Sequence, residues 1–152
     1  TLEVAQTAAL SAKLQTYSKR ARMKSFLRNS KNVEQSDGAV IIGTRYGVFE
    51  LNCGVCRFLT CETKLKEQEI PCSFNINDLG IAVGSAAAVA ADSRIDNRIK
   101  YSVGRGALDL GWLGESKAAF GILLSCKGKN PFFDRTSHKP DAEAQKAQEQ
   151  HK

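Results

Sequence analysis

"DLGIAVGSAAAVAAD", residues 78–92, is the stretch on which the fold turns. Apolar and small residues run without a charge from Leu79 to Ala91, closed off by Asp78 and Asp92. A bilayer crossing takes about 20 apolar residues, so this shorter run predicts a buried helix inside a soluble domain, with no membrane partner. Asn77 or Asp78 is placed to cap its start. Gly80, Gly84 and Ala88 recur at every fourth position, which predicts dense packing of another element against that face.

Outward from this helix, Ile95, Ile99, Val103, Ala107 and Leu110 form one stripe and predict a further helix over Asp96–Leu110, broken by "GWLGE". "GAVIIG", residues 38–43, and "KAAFGILLSC", residues 117–126, read as short strands buried on both faces. At the N-terminal end, residues 2–12 and 14–27 read as two helices. Strands alternating with helices predict an α/β domain, with α+β as the alternative: a small central sheet of buried strands flanked by helices, with a cysteine loop at 51–75 inserted in it. The domain is expected over residues 1–135. Residues 136–152 are polar, lack large apolar side chains and predict a flexible tail.

Composition agrees with such a domain. The chain has 152 residues, 42% hydrophobic and 25% charged, and at this size folding buries roughly two-thirds of the exposed surface. The net charge of +6 is local. Seven basic residues and no acidic ones lie between Lys13 and Lys31, and without them the rest of the chain carries a net charge of about −1. Such a run is expected to be a solvated helix face rather than a nucleic-acid grip. No export signal is visible at the N-terminal end, and a cytoplasmic location is the expectation.

Four of the five cysteines crowd into "LNCGVCRFLTC", residues 51–61, and "IPCSFN", residues 70–75. The spacing Cys53-x2-Cys56-x4-Cys61-x10-Cys72 lets two thiolates converge from a tight loop, a third close over them and a fourth arrive from downstream. Gly54 lets the loop fold back, its amide and that of Val55 being candidate donors to sulfur, and Pro71 stiffens the approach to Cys72. A disulfide framework is a poor reading for a chain of this size with an odd cysteine count. A structural zinc site stays open, although zinc ribbons favour two C-x2-C knuckles and only one is present. Neither the plant-type nor the bacterial ferredoxin spacing is met, so a 4Fe-4S cluster is the first expectation, with 2Fe-2S and zinc as alternatives. Cys126 is expected to be a small core residue, not a ligand.

The stretches "NVEQSDGAVIIG", "LNCGVCRFLTC", "NINDLGIAVGSAAAVAADSRIDNRIKYSVGRGALDLGWLGE" and "AFGILLSCKGKNPFFDR" together resemble an uncharacterised ferredoxin-domain family of anaerobic bacteria and archaea. The resemblance covers about residues 29–135, and its four cysteines fall on Cys53, Cys56, Cys61 and Cys72. One departure is that the family carries a loop and further residues after its first helix, where this chain passes directly from Lys13 to Leu14. The order of elements is also similar to that of the FMN-dependent nitroreductases, which implies a homodimer with flavin held at the subunit interface.

The remaining chemistry is sparse. His138 and His151 are the only histidines and lie in or beside the polar tail, which argues against histidine acid-base catalysis. "DSRIDNR", residues 92–98, is a polar knot expected to form caps and a buried ion-pair network. Its sharper reading is an anion or flavin pocket, with Arg94 and Arg98 at i, i+4 presenting two guanidinium forks that Arg105 and Lys129 could join. Two functions follow: an electron carrier or redox subunit that meets a redox partner protein, or a binding protein whose metal is structural. The small-residue helix adds the expectation of a homodimer.

Overall fold

The computed structural model describes residues 4–21 and 24–133; the expected tail and both histidines lie outside them. Among the described residues the order is α1 (Val4–Ala21), α2 (Lys24–Gln35), β1 (Gly38–Thr44), α3 (Cys61–Leu65), α4 (Ser73–Asp92), β2 (Asp96–Lys100), α5 (Tyr101–Asp109) and β3 (Ala118–Ser125). The three strands form one sheet in the order β1-β3-β2, with both neighbours antiparallel to β3. The fold is therefore mixed α and β around a small antiparallel sheet, which is the α+β form of the expectation.

Strand periodicity divides the core in two. Leu123 of β3, with Ala39 and Ile41 of β1, faces Leu10, Leu14, Phe26, Val33 and Val103 from α1, α2 and α5. Ile122, with Ile42, Phe120 and Leu124, faces Leu79 and Val83 of α4 on the other side. The sheet is thus the middle layer between three helices and one. Close approach of α5 depends on glycine: a Cβ on Gly104 would lie 2.1 Å from the carbonyl oxygen of Ala119, and one on Gly121 would lie 2.2 Å from Val103 Cγ1.

Several elements differ from their sequence reading. α1 crosses Lys13 and Leu14 without a break, since Leu10 and Leu14 belong to one buried stripe. The helix expected over Asp96–Leu110 is a strand followed by a helix, because Asp96 to Lys100 pair along β3 from Ser125 to Gly121. Ile95 and Ile99 suit either period, and pairing with a distant strand decides between them. β1 is an edge strand and only partly buried, with Val40 exposed.

α4 departs most. It begins at Ser73, with Cys72 as its N-cap, four residues or more before the expected start. At 20 residues it is long and apolar enough, by length and composition, to cross a membrane. Of its side chains only Leu79, Val83 and Ala90 are buried. Gly80 and Gly84 have nothing within 4 Å of an added Cβ, so the dense packing expected there is not formed within the chain.

Candidate metal centre

The cysteine loop leaves β1 as irregular backbone and is tied down at three points. Gly47 N–H donates to Asn75 Oδ1 at 3.1 Å, holding the start of the loop to the first turn of α4. Phe49 meets Phe74 edge to face at 5.9 Å between centroids, on the same turn. Asn52 and Cys61 then clip the loop to itself. Cys61 N–H donates to Asn52 Oδ1 at 2.8 Å, and Asn52 N–H donates to Cys61 Sγ at 3.4 Å.

Between these points the backbone is unusual. Glu50, Asn52, Gly54 and Arg57 all have positive φ, from 47° to 70°, and only one of them is glycine. A side chain in the left-handed region costs roughly 1–3 kcal/mol and persists where its surroundings over-determine it. Alternation of this kind turns backbone N–H groups toward one concave side, as in many phosphate and iron-sulfur loops.

The four expected ligands come together from three directions. Cys53 and Cys56 sit on the loop, Cys61 opens α3 behind its Thr60 cap, and Cys72 caps α4. All four line one narrow cleft. Cys72 is buried, Cys56 and Cys61 are half-buried, and Cys53 is exposed. All five cysteines are free thiols. Among the described residues no three His, Cys, Asp or Glu side chains are arranged as a closed metal site. The cleft gathers the thiols without drawing them to ligand distance.

The donors nevertheless suit a soft metal centre. Neither carboxylate nor imidazole is among the residues lining the cleft, and thiolates alone favour an iron-sulfur cluster or zinc over hard cations. Cys72 stands at the N-terminus of a long helix whose first turn carries no acidic residue, so the positive end of the macrodipole is open to an anionic centre.

Sequence reasoning missed two members of this site. Asn52 reads as a turn residue, yet it both accepts from Cys61 and donates to its sulfur. Lys64, in the polar run "ETKLKEQE", reads as surface, yet it is 1% exposed and lines the cleft with the cysteines. Its spacing of three from Cys61 on a helix is the signal that would have found it.

Other expectations fare differently. Cys126 lies at the end of β3 but is exposed, not core, its N–H donating to Asp37 Oδ2 at 2.8 Å. Arg94 and Arg98 do not form an i, i+4 fork. Arg94 is the left-handed residue (φ 59°) that ends α4, with the N–H groups of Arg94 and Ile95 returning to Ala91 and Ala90 in a Schellman stop. Arg98 is on β2, its guanidinium 4.2 Å from the centroid of the Phe133 ring. The expected ion-pair network is also absent: no salt bridge among the described residues joins Asp92, Arg94, Asp96 and Arg98. Asp96 instead accepts from Asn130 Nδ2 at 2.9 Å.

The family model for "Uncharacterized protein containing a ferredoxin domain" (DUF2148) matches residues 68–135, which include Cys72 and run from α4 through β3. An uncharacterised protein of Archaeoglobus fulgidus is 36% identical over 124 residues, covering 76% of this chain and 67% of that protein. No solved structure matches the chain. The similarity to nitroreductases, and the flavin it implied, gain nothing from these comparisons. With identity at this level across two-thirds of a relative and the family model over its C-terminal half, the chain belongs to the DUF2148 family of proteins containing a ferredoxin domain.

Proposed function

We propose that the protein binds one 4Fe-4S cluster through Cys53, Cys56, Cys61 and Cys72 and works as an electron carrier or redox subunit. The observation that carries this reading is the convergence of four free thiols from three backbone segments on one cleft whose lining offers no other metal donor. Such a cluster supplies one-electron transfer, with a potential set by burial and by hydrogen bonds to sulfur. The chain contributes both: Cys72 is buried, and Asn52 N–H is already directed at the sulfur of Cys61.

The rim of the cleft favours a protein redox partner. Leu51, Val55 and Leu59 are exposed, Leu59 at 91%; they alternate along the chain with Cys53, Cys56 and Cys61, and Leu51 lines the cleft itself. Exposed apolar groups gathered at a functional site mark a surface that another protein covers. The outer side of α4 suits a second copy of this chain. Ile76, Gly80, Gly84 and Ala88 form one row, and Ile81, Ser85 and Val89 form the next, so a ridge lies beside a groove on one exposed face. A surface of that shape is self-complementary in an isologous dimer.

Anaerobic purification followed by analysis of iron, acid-labile sulfide, zinc and flavin tests the reading. About four iron and four sulfide per chain, rather than about two of each, with a brown absorbance that bleaches under dithionite, are expected. Stoichiometric zinc without sulfide would overturn it in favour of a structural site.

A further inference from the structure

Lys64 is the most buried charged side chain in the described molecule, at 1% exposed. It projects from α3 one turn after Cys61 and lines the cleft that holds the four cysteines. Its ammonium has no carboxylate. The salt bridges among the described residues are Arg45–Glu115, Arg105–Asp109, Lys117–Glu69 and Lys127–Asp37, and none involves Lys64 or another residue that lines the cleft. Nor does its side chain donate a hydrogen bond to any described residue. Asn32 Oδ1 is the one buried side-chain polar atom without a partner among the described residues, so the stem of Lys64 is buried while its ammonium keeps some contact with solvent at the cleft. Apart from the neutral amide of Asn52 and the hydroxyl of Thr60, the other side chains that line the cleft are apolar or cysteine, and none is charged.

We propose that Lys64 is the counter-cation of the thiolate centre: its ammonium is held in the cleft to neutralise the negative charge of the four cysteinates and their cluster, and so raises the reduction potential. This rests on the cluster reading above. In the step concerned, one electron enters the cluster from the reductant and adds one negative charge, and no bond to Lys64 forms or breaks. A positive charge attracts the reduced form more strongly than the oxidised form. For a separation of about 6 Å and an effective dielectric constant of about 40, that difference is about tenfold.

The test is a dye-mediated redox titration of the cluster-loaded protein and its Lys64→Met, Lys64→Gln, Lys64→Arg and Lys66→Met variants, with iron and sulfide measured per chain. Lys66 is exposed and caps the C-terminal end of the same short helix, so it controls for charge in general. Lys64→Met is expected to keep its cluster and to shift the one-electron equilibrium about tenfold toward the oxidised form, a potential lower by about 59 mV. Lys64→Arg restores most of that shift, and Lys66→Met leaves the potential at the wild-type value. If Met and Gln both fail to load iron while Arg loads it, the cation is required for assembly, which supports the same role. A fully loaded Lys64→Met with wild-type potential would overturn the inference and leave the cluster reading intact, as would an Arg variant that fails alongside Met and Gln. A wild-type protein without sulfide would sink both, and the sulfide analysis tells that outcome from the others.

Discussion

α4 and α5 are both rich in glycine and alanine, both follow an N-cap whose side chain makes no capping hydrogen bond, and they use these features in opposite ways. In α5 the small residues face inward. Gly104 lies against the backbone of Ala119, and a Cβ on Gly106 would come within 2.7 Å of Leu10 Cδ1, so the helix is seated on the sheet and under α1. In α4 the alanines Ala86, Ala87 and Ala90 pack inward, but the glycines face outward, and a Cβ on Gly80 or Gly84 would meet nothing within 4 Å. The caps divide in the same manner. Lys100 at the start of α5 donates to Asn29 Oδ1 at 2.9 Å, and Asn29 donates to Ser102 Oγ at 2.8 Å, closing a network inside the protein. Cys72 at the start of α4 turns its sulfur to the cleft. One helix is completed by its own chain, and the other presents both a ligand and an open face.

The largest effect separating them should come from glycine substitution. Gly104→Ala places a methyl group 2.1 Å from a backbone oxygen of the central strand, which cannot rotate away as a side chain can. The expected cost is about 3 kcal/mol or more, measured by urea unfolding. Near-wild-type stability in that variant would break the comparison, since α5 would then not be seated as described.

Next in size is the outward face of α4. Ile81 is 60% exposed and Val89 is 65% exposed. If a second copy covers them, Ile81→Lys desolvates an unpaired charge in the interface and should weaken self-association about thirtyfold, equivalent to about 2 kcal/mol. Sedimentation velocity across a concentration series reads this directly. The variant should fold as well as the wild type, because in the single chain Ile81 packs on nothing that its loss would disturb. A wild-type protein that is monomeric at all concentrations would defeat the dimer.

The contrast also shows what a sequence carries. β3 and β1 were legible as strands because their short apolar, β-branched runs are bounded by turn residues, although β1 is only partly buried, and the thiol ligands were legible because their spacing is itself chemical. β2 was not, for "DNRIK" has a single β-branched residue and is a strand only because β3 lies beside it. The existence of α4 was plain, but which face it buries depends on the sheet, and its stop at Arg94 lacks the glycine that usually marks a left-handed C-terminal residue. Lys64 was hard to see for a related reason. Its spacing of three from Cys61 puts it on the same side of a helix, but nothing in "ETKLKEQE" shows that the loop buries it.

The smallest effect concerns the cap of α5 and is one of pH. Lys100 is 7% exposed, and burial first, then the charges of Arg98 and Arg28, lower its pKa from 10.5 to about 8. Below about pH 8 the folded and unfolded chains both hold this proton, and the residue gives stability no pH slope. Between about 8 and 10.5 the folded chain has released it while the unfolded chain still binds it, so stability rises with pH across that window. Neutral Lys100 can still donate to Asn29, and the network survives the loss of charge. Tyr17, whose pKa is raised by burial and by its contact with Asp109, favours the folded chain less at the upper end of the same range, so the wild-type curve alone does not isolate the lysine. The difference between wild type and Lys100→Met does, because Tyr17 is common to both. Urea unfolding at several pH values between 7 and 10.5 should show wild type gaining on the variant only above about pH 8. A difference that stays flat would mean that Lys100 keeps an ordinary pKa, and that the start of α5 is wetter than its packing against Asn29 and Ser102 implies.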